Sequence, residues 1–145
     1  MFYLDPSAWV KRYVQELGSA WVHALFTRRE RIASSTLGYL EVVAALSRRL
    51  SQTDLAMAEP RLEADWQDMG HLPLTAEQIE RAVDLARQYK LRGADALHLA
   101  TALDLSKILA SINDAAVLVA SDDELLTAAQ AAGLPVENPL TGVQA

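Results

Sequence analysis

The spacing of apolar residues changes several times along the chain, and each change marks an element. A short apolar run predicts a strand from Phe2 to Leu4, and the proline after Asp5 predicts a helix from Pro6 to about Gln15. A second helix is expected from Ser19 to about Arg28, and a short strand over Arg31 to Ala33. The stretches "STLGYLEVVAALSRRL" and "TDLAMAEPRLEADWQDM" then carry helical periodicity. In the second of these, Pro60 has no N–H to donate, so it is expected to start a new helix or kink the old one.

"HLPL" is a candidate strand. Thr75 and Gln78 fit a capping box for a helix reaching Tyr89, and "GADALHLATALDLSKIL" is a further helix. "AAVLVA" is the clearest buried strand, a continuous and partly β-branched run. "SDDELLTAAQAAG" reads as a helix closed by Gly133, and "LPVEN" as a last strand. Short apolar strands separated by helices predict an α/β fold, with a small central parallel sheet of about four to five strands flanked by helices.

In such a sheet, ligands sit beyond the carboxyl ends of the strands. That places Asp5, Ser34 to Thr36, and Ser121 to Asp123 where chemistry is expected. Asp5 is also an ordinary N-cap before Pro6. Asp122 sits in "SDDE", where Ser121 and Glu124 fit a capping box and Asp122 is a first-turn acid. Asp95 opens a helix apolar on nearly all sides, so its carboxylate is expected to face the interior or a cleft and to need a partner. Glu41 interrupts another such helix, on a narrow strip with Gly38, Ala45, Arg48 and Arg49. A solvated Glu41–Arg48 pair is one explanation of that strip, and a carboxylate facing a site is the other.

One arrangement accounts for all four acids, namely convergence at one end of the sheet. Clustered carboxylates repel one another and are costly to bury unless a cation neutralises them. The chain has no cysteine, and hard oxygen donors suit Mg²⁺ or Mn²⁺. Such an ion could activate water and stabilise charge on a phosphoryl group.

The motifs "LDPSAWVKRYVQELGS", the lone glutamate in "SSTLGYLEVVAAL", "LRGADALHLATAL" and "LVASDDELLTAAQAAGL" follow one another along nearly the whole chain. In that order they resemble a PIN-domain ribonuclease, and within that group a VapC-type toxin of a bacterial toxin–antitoxin pair. The resemblance implies a PIN-like fold and a four-acid metal site of Asp5, Glu41, Asp95 and Asp122. It implies that Ser7 helps to order this site, and Ser121 can supply a further hydroxyl. It also implies RNA cleavage with Mg²⁺ or Mn²⁺, a small cognate antitoxin, and a homodimer. Pro6 stands where the family most often has threonine, and Ala120 and Ser121 precede Asp122 where a threonine is often found. Neither change removes a carboxylate.

Length and charge refine this picture. With 145 residues the chain is expected to form a single domain over 1–145. The net charge of −6 argues against electrostatic coating of nucleic acid, though not against a metal and a few arginines gripping a phosphodiester. Basic residues are grouped as Lys11 and Arg12, then Arg28, Arg29 and Arg31, then Arg48 and Arg49, then Arg87, Lys90 and Arg92. They form either solvated helix faces or a basic rim around an acidic centre. No run approaches a membrane span and no basic leader with an apolar core is present, so a cytoplasmic protein with no membrane partner is expected.

His98 reads as a core histidine, and Trp9, Trp21 and Trp66 as core or interface residues. Two other functions compete with the ribonuclease. A different metal phosphohydrolase or a receiver-like phospho-acceptor also wants an aspartate after its first strand. However, Ser7 stands where the phosphatase usually has a second aspartate, and the receiver's adjacent acid and late lysine are not found. An acidic binding module without chemistry would use the same residues as caps and as a dock for a basic partner.

Overall fold

A computed structural model describes residues 1–142. Five strands, β1 Phe2–Leu4, β2 Ile32–Ser35, β3 Gly70–Leu72, β4 Val117–Val119 and β5 Val136–Glu137, form one parallel sheet in the order β3-β2-β1-β4-β5. Seven helices flank it: α1 Pro6–Trp9, α2 Ser19–Thr27, α3 Thr36–Arg49, α4 Gln52–Asp68, α5 Ala76–Tyr89, α6 Gly93–Ala110 and α7 Asp123–Ala131. The expected α/β architecture, a small parallel sheet flanked by helices, is the one observed. No described helix is long and apolar enough to cross a membrane.

The chain lays down β1, builds outward through β2 and β3, then returns to the other side of β1 for β4 and β5. The direction of building reverses between β1 and β4, so the crevice at the carboxyl ends of these two strands is the switch point of the sheet. In register, Tyr3 lies beside Leu118 and Leu4 beside Val119.

Two cores lie on opposite faces. Side chains alternate along a strand. Tyr3 and Leu118 therefore join Leu99, Leu105 and Leu125 on one face, while Leu4 and Val119 join Trp9, Val42, Leu46 and Leu62 on the other. Burial on both faces explains why β1 and β4 read as continuous apolar runs. On the second face Trp66 is stacked between Tyr39 and His71, with ring centroids 4.9 and 3.7 Å away, and Trp9 lies beside them.

The local signals act largely as expected. Thr75 and Gln78 form a reciprocal capping box. Gly133, at φ +91°, closes α7. The amides of Gly133 and Leu134 donate to the carbonyls of Gln130 and Ala129, a Schellman ending.

Three boundaries differ from expectation, and at Pro60 one of the two expected outcomes, a new helix, is excluded. α1 passes at Val10 into a 3₁₀ turn that ends at Arg12, short of Gln15. The Ser19 hydroxyl donates to the Val14 carbonyl and accepts from the Glu16 amide, which turns the chain there. β2 extends through Ser34 and Ser35, because the buried Ser34 hydroxyl is satisfied by the Leu4 carbonyl at 2.7 Å. β3 begins at Gly70 and ends before Pro73. α4 runs through Pro60 without a break. The carbonyl that loses its donor there belongs to Ala56, an exposed residue, where water can take over the bond.

Candidate active site

Asp5 continues the line of β1, its amide donating to the Val119 carbonyl of β4 at 2.9 Å. It is the N-cap of α1, yet it is only 4 % exposed. Its Oδ2 accepts both the Ser7 amide at 2.9 Å and the Ser7 hydroxyl at 2.5 Å. The Ser7 hydroxyl in turn accepts the Ser121 amide at 2.9 Å, which ties the end of β1 to the end of β4. Capping therefore occupies one carboxylate oxygen. The other, Oδ1, lies 3.9 Å from Nε2 of His98, beyond hydrogen-bond reach. Burial raises the Asp5 pKa, the charge of His98 and the Ser7 bonds oppose that rise, and Glu41 adds to it.

Glu41 reaches the same end of the sheet from α3. Ser35 caps that helix by accepting the Gly38 amide. Gly38 brings α3 close: a Cβ there would stand 2.6 Å from Oγ of Ser34 and 3.5 Å from the His98 ring. The Glu41 carboxylate accepts Nε2–H of His98 at 2.7 Å. Among the described residues no ion pair joins Glu41 to Arg48, and Arg49 instead meets Glu16. On the far side of the imidazole, Nδ1 is 2.8 Å from the hydroxyl of the buried Tyr3. Burial would lower the His98 pKa, but the Glu41 bond and the charges of Asp5, Glu41 and Asp95 outweigh it and raise it.

Asp95 stands in the first turn of α6, half-buried. Its pKa is raised to about 6, by burial first and then by Asp122 and Asp5, with His98 and Arg92 opposing. Asp122 is itself the N-cap of α7, its Oδ1 accepting the Leu125 amide at 3.0 Å. This corrects the expected capping box: the carboxylate takes the cap, and the buried Ser121 hydroxyl has no protein partner.

The four acids thus share one neighbourhood at the β1–β4 switch point. His98 bonds Glu41 and lies 3.9 Å from Asp5 without bonding it, and Asp95 feels both Asp5 and Asp122. Among the described residues no three acids or imidazoles close on a single point at ligand distance. The donor set nonetheless fits a hard divalent cation: it is all oxygen, and two of its acids are held above their ordinary pKa, by burial first and then by neighbouring carboxylates.

The basic groups divide between interior and surface. Lys11 is buried against Glu16, and Arg12 grips Asp65 while lying over the Phe26 ring. Neither belongs to a rim. Arg48 and Glu41 line an open groove of about 400 Å³ with Pro6, Ser7 and Val10. A larger cavity of about 600 Å³, lined by Met1, Arg12, Arg31, Asp65 and Asp68, contains none of the four acids.

Sequence reasoning did not find His98 as the partner of Glu41. The signal was present: His98 follows Asp95 by three residues, on the same side of a helix otherwise apolar all round. A polar ring on such a helix needs a partner.

A PIN domain model matches residues 2–131. Ribonuclease VapC45 of Mycobacterium tuberculosis is 39% identical over 142 residues, which cover 94% of each chain. A structure of FitAB bound to an IR36 DNA fragment superimposes with a TM-score of 0.71 at 17% identity, covering 97% of this chain and 96% of that one. A toxin–antitoxin complex from Klebsiella pneumoniae gives 0.66 at 21% identity, covering 96% and 98%.

Proposed function

The chain belongs to the PIN-domain family and within it to the VapC ribonucleases, and on that premise we propose that it is a metal-dependent endoribonuclease acting as the toxin of a toxin–antitoxin pair. This reading is supported by four acids near the switch point of the sheet: Asp5 and Asp122 follow β1 and β4, and Glu41 and Asp95 come from α3 and α6 close enough to act on them. Asp5 through Oδ1, with Asp95, Asp122 and Glu41, would hold Mg²⁺ or Mn²⁺. When bound, the ion supplies an activated water and stabilises charge on the phosphoryl oxygens.

The remaining work falls to the protein's own side chains. Ser7 fixes Asp5 and the Ser121 amide together, so the ends of β1 and β4 keep their spacing. On this reading the exposed Arg92, near Asp95, and Arg48, which lines a groove with Glu41, would hold the phosphates of an RNA strand. Two or three such contacts suit an enzyme of net charge −6, which needs local rather than overall attraction.

The partners that follow from this reading are RNA as substrate, a small cognate antitoxin over the acidic cleft, and a second copy of the chain. Its place of action is the cytoplasm. The Klebsiella pneumoniae toxin–antitoxin complex supports the antitoxin through its shared fold.

The test is total RNA incubated with wild type or Asp5→Asn, with Mn²⁺ or a chelator. Cleavage by wild type in Mn²⁺ alone, lost in Asp5→Asn, is the expected result. Full cleavage in chelator, or by folded Asp5→Asn, overturns it.

A further inference from the structure

We propose that His98 is a positioning residue, which holds the Glu41 carboxylate at the acidic site from a ring anchored on Tyr3. This inference rests on the metal-dependent reading above and extends it to a residue that holds no ion itself.

Glu41 is the least constrained of the four acids. Asp5, Asp95 and Asp122 have short side chains at strand ends or first helical turns, and two of them are caps. Glu41 lies within α3 on a longer side chain that is 36 % exposed, so unaided it would sample many rotamers. His98 removes that freedom. Its side chain is 1 % exposed, and its Nε2–H is given to Glu41 Oε1 at 2.7 Å.

The ring cannot turn without losing a second bond. Nδ1 is 2.8 Å from the Tyr3 hydroxyl, and Tyr3 is fully buried in the central strand. With the imidazole neutral, Nε2 carries the hydrogen given to Glu41 and Nδ1 accepts from Tyr3. The chain of contacts therefore runs from the middle of the sheet to the mouth of the site. Gly38 makes it possible, since a side chain there would meet Oγ of Ser34 at 2.6 Å and push α3 away from the sheet end. The 3.9 Å gap to Asp5 leaves Oδ1 of that acid free of the imidazole. His98 thus immobilises one carboxylate and leaves its neighbour available to a cation.

A group that orients a metal-binding carboxylate affects affinity for the ion. The measurement is Mn²⁺ binding by calorimetry on the full chain, with circular dichroism to verify the fold. His98→Leu is expected to weaken binding about tenfold, and His98→Gln, which keeps an N–H donor, to restore most of it. Tyr3→Phe is expected to weaken binding by a smaller factor. In an Glu41→Gln background, His98→Leu is expected to have no further effect, because its route to the ion is gone.

Wild-type affinity in folded His98→Leu overturns the inference, and so does an equal loss with and without Glu41. If His98→Leu does not fold, unchanged affinity in Tyr3→Phe overturns it. A wild type that binds no Mn²⁺ removes the metal reading itself and this inference with it. Wild-type binding that ignores His98 removes the inference alone.

Discussion

Ser7 gives both its backbone N–H and its hydroxyl to a single oxygen of Asp5, Oδ2. Capping thus uses one oxygen of Asp5 and leaves the other, Oδ1, without a hydrogen bond from Ser7, so the cap and the proposed ligand role are compatible. The same hydroxyl accepts the Ser121 amide, so Ser7→Ala takes away two bonds. One of these is to a carboxylate, and the other leaves a partly buried N–H unpaired. The expected loss is about 2 kcal/mol in urea unfolding, together with weaker Mn²⁺ binding. A change below about 0.5 kcal/mol would show that the bridge between β1 and β4 is unimportant to the fold.

Asp122 allows capping and ion binding to be separated. Asn can accept the Leu125 amide as Asp does but carries no charge. Asp122→Asn is expected to melt close to wild type while RNA cleavage is lost. Asp122→Ala is expected to lose cleavage and about 1 kcal/mol of stability as well. Cleavage retained by Asp122→Asn would remove Asp122 from the site and leave it as a cap.

Asp95 makes stability depend on pH in the direction opposite to a salt-bridged acid. Its pKa is about 6 in the folded chain against an ordinary value of 3.8. Between those values the folded chain holds more protons than the unfolded one, so stability falls as pH rises through the window. The penalty is complete above the folded value and absent below the unfolded one. With half-exposure screening the charge, about 1 kcal/mol is at stake. In metal-free, mildly alkaline buffer, Asp95→Asn is expected to raise Tm by about 2–4 °C, with the gain vanishing in acid. Mn²⁺ is expected to raise the wild-type Tm and not that of the variant. A Tm lowered by Asp95→Asn at alkaline pH would contradict a cost of holding Asp95 charged, set by burial first and by its neighbouring acids second.

Much of the fold was legible because the central strands β1 and β4 are apolar on both faces and the helix signals are local. The Thr75 capping box, Gly133 and Pro6 each act through neighbours in sequence. The limits of β2 were less legible, because Ser34 is satisfied by the Leu4 carbonyl, thirty residues away. Each of the four acids stood out as a position, but their grouping followed from strand order, which one-dimensional spacing does not contain. Ser121 was misread for a local reason: a serine and an aspartate side by side both fit the cap, and the carboxylate takes it. The inward turn of Lys11 and Arg12 depends on Glu16 and Asp65, and the distance to Asp65 along the chain hid that pairing.

The alternation of Tyr3 and Leu4 across β1 has a kinetic meaning. One residue belongs to each core, so β1 is a wall common to both, and neither half of the molecule can open without exposing it. Its amides should exchange with solvent only when the whole domain unfolds, whereas the edges at β3 and β5 can open alone. The acidic site grows from the end of that wall. Its lifetime is then the lifetime of the folded protein, and fraying at the periphery leaves it intact.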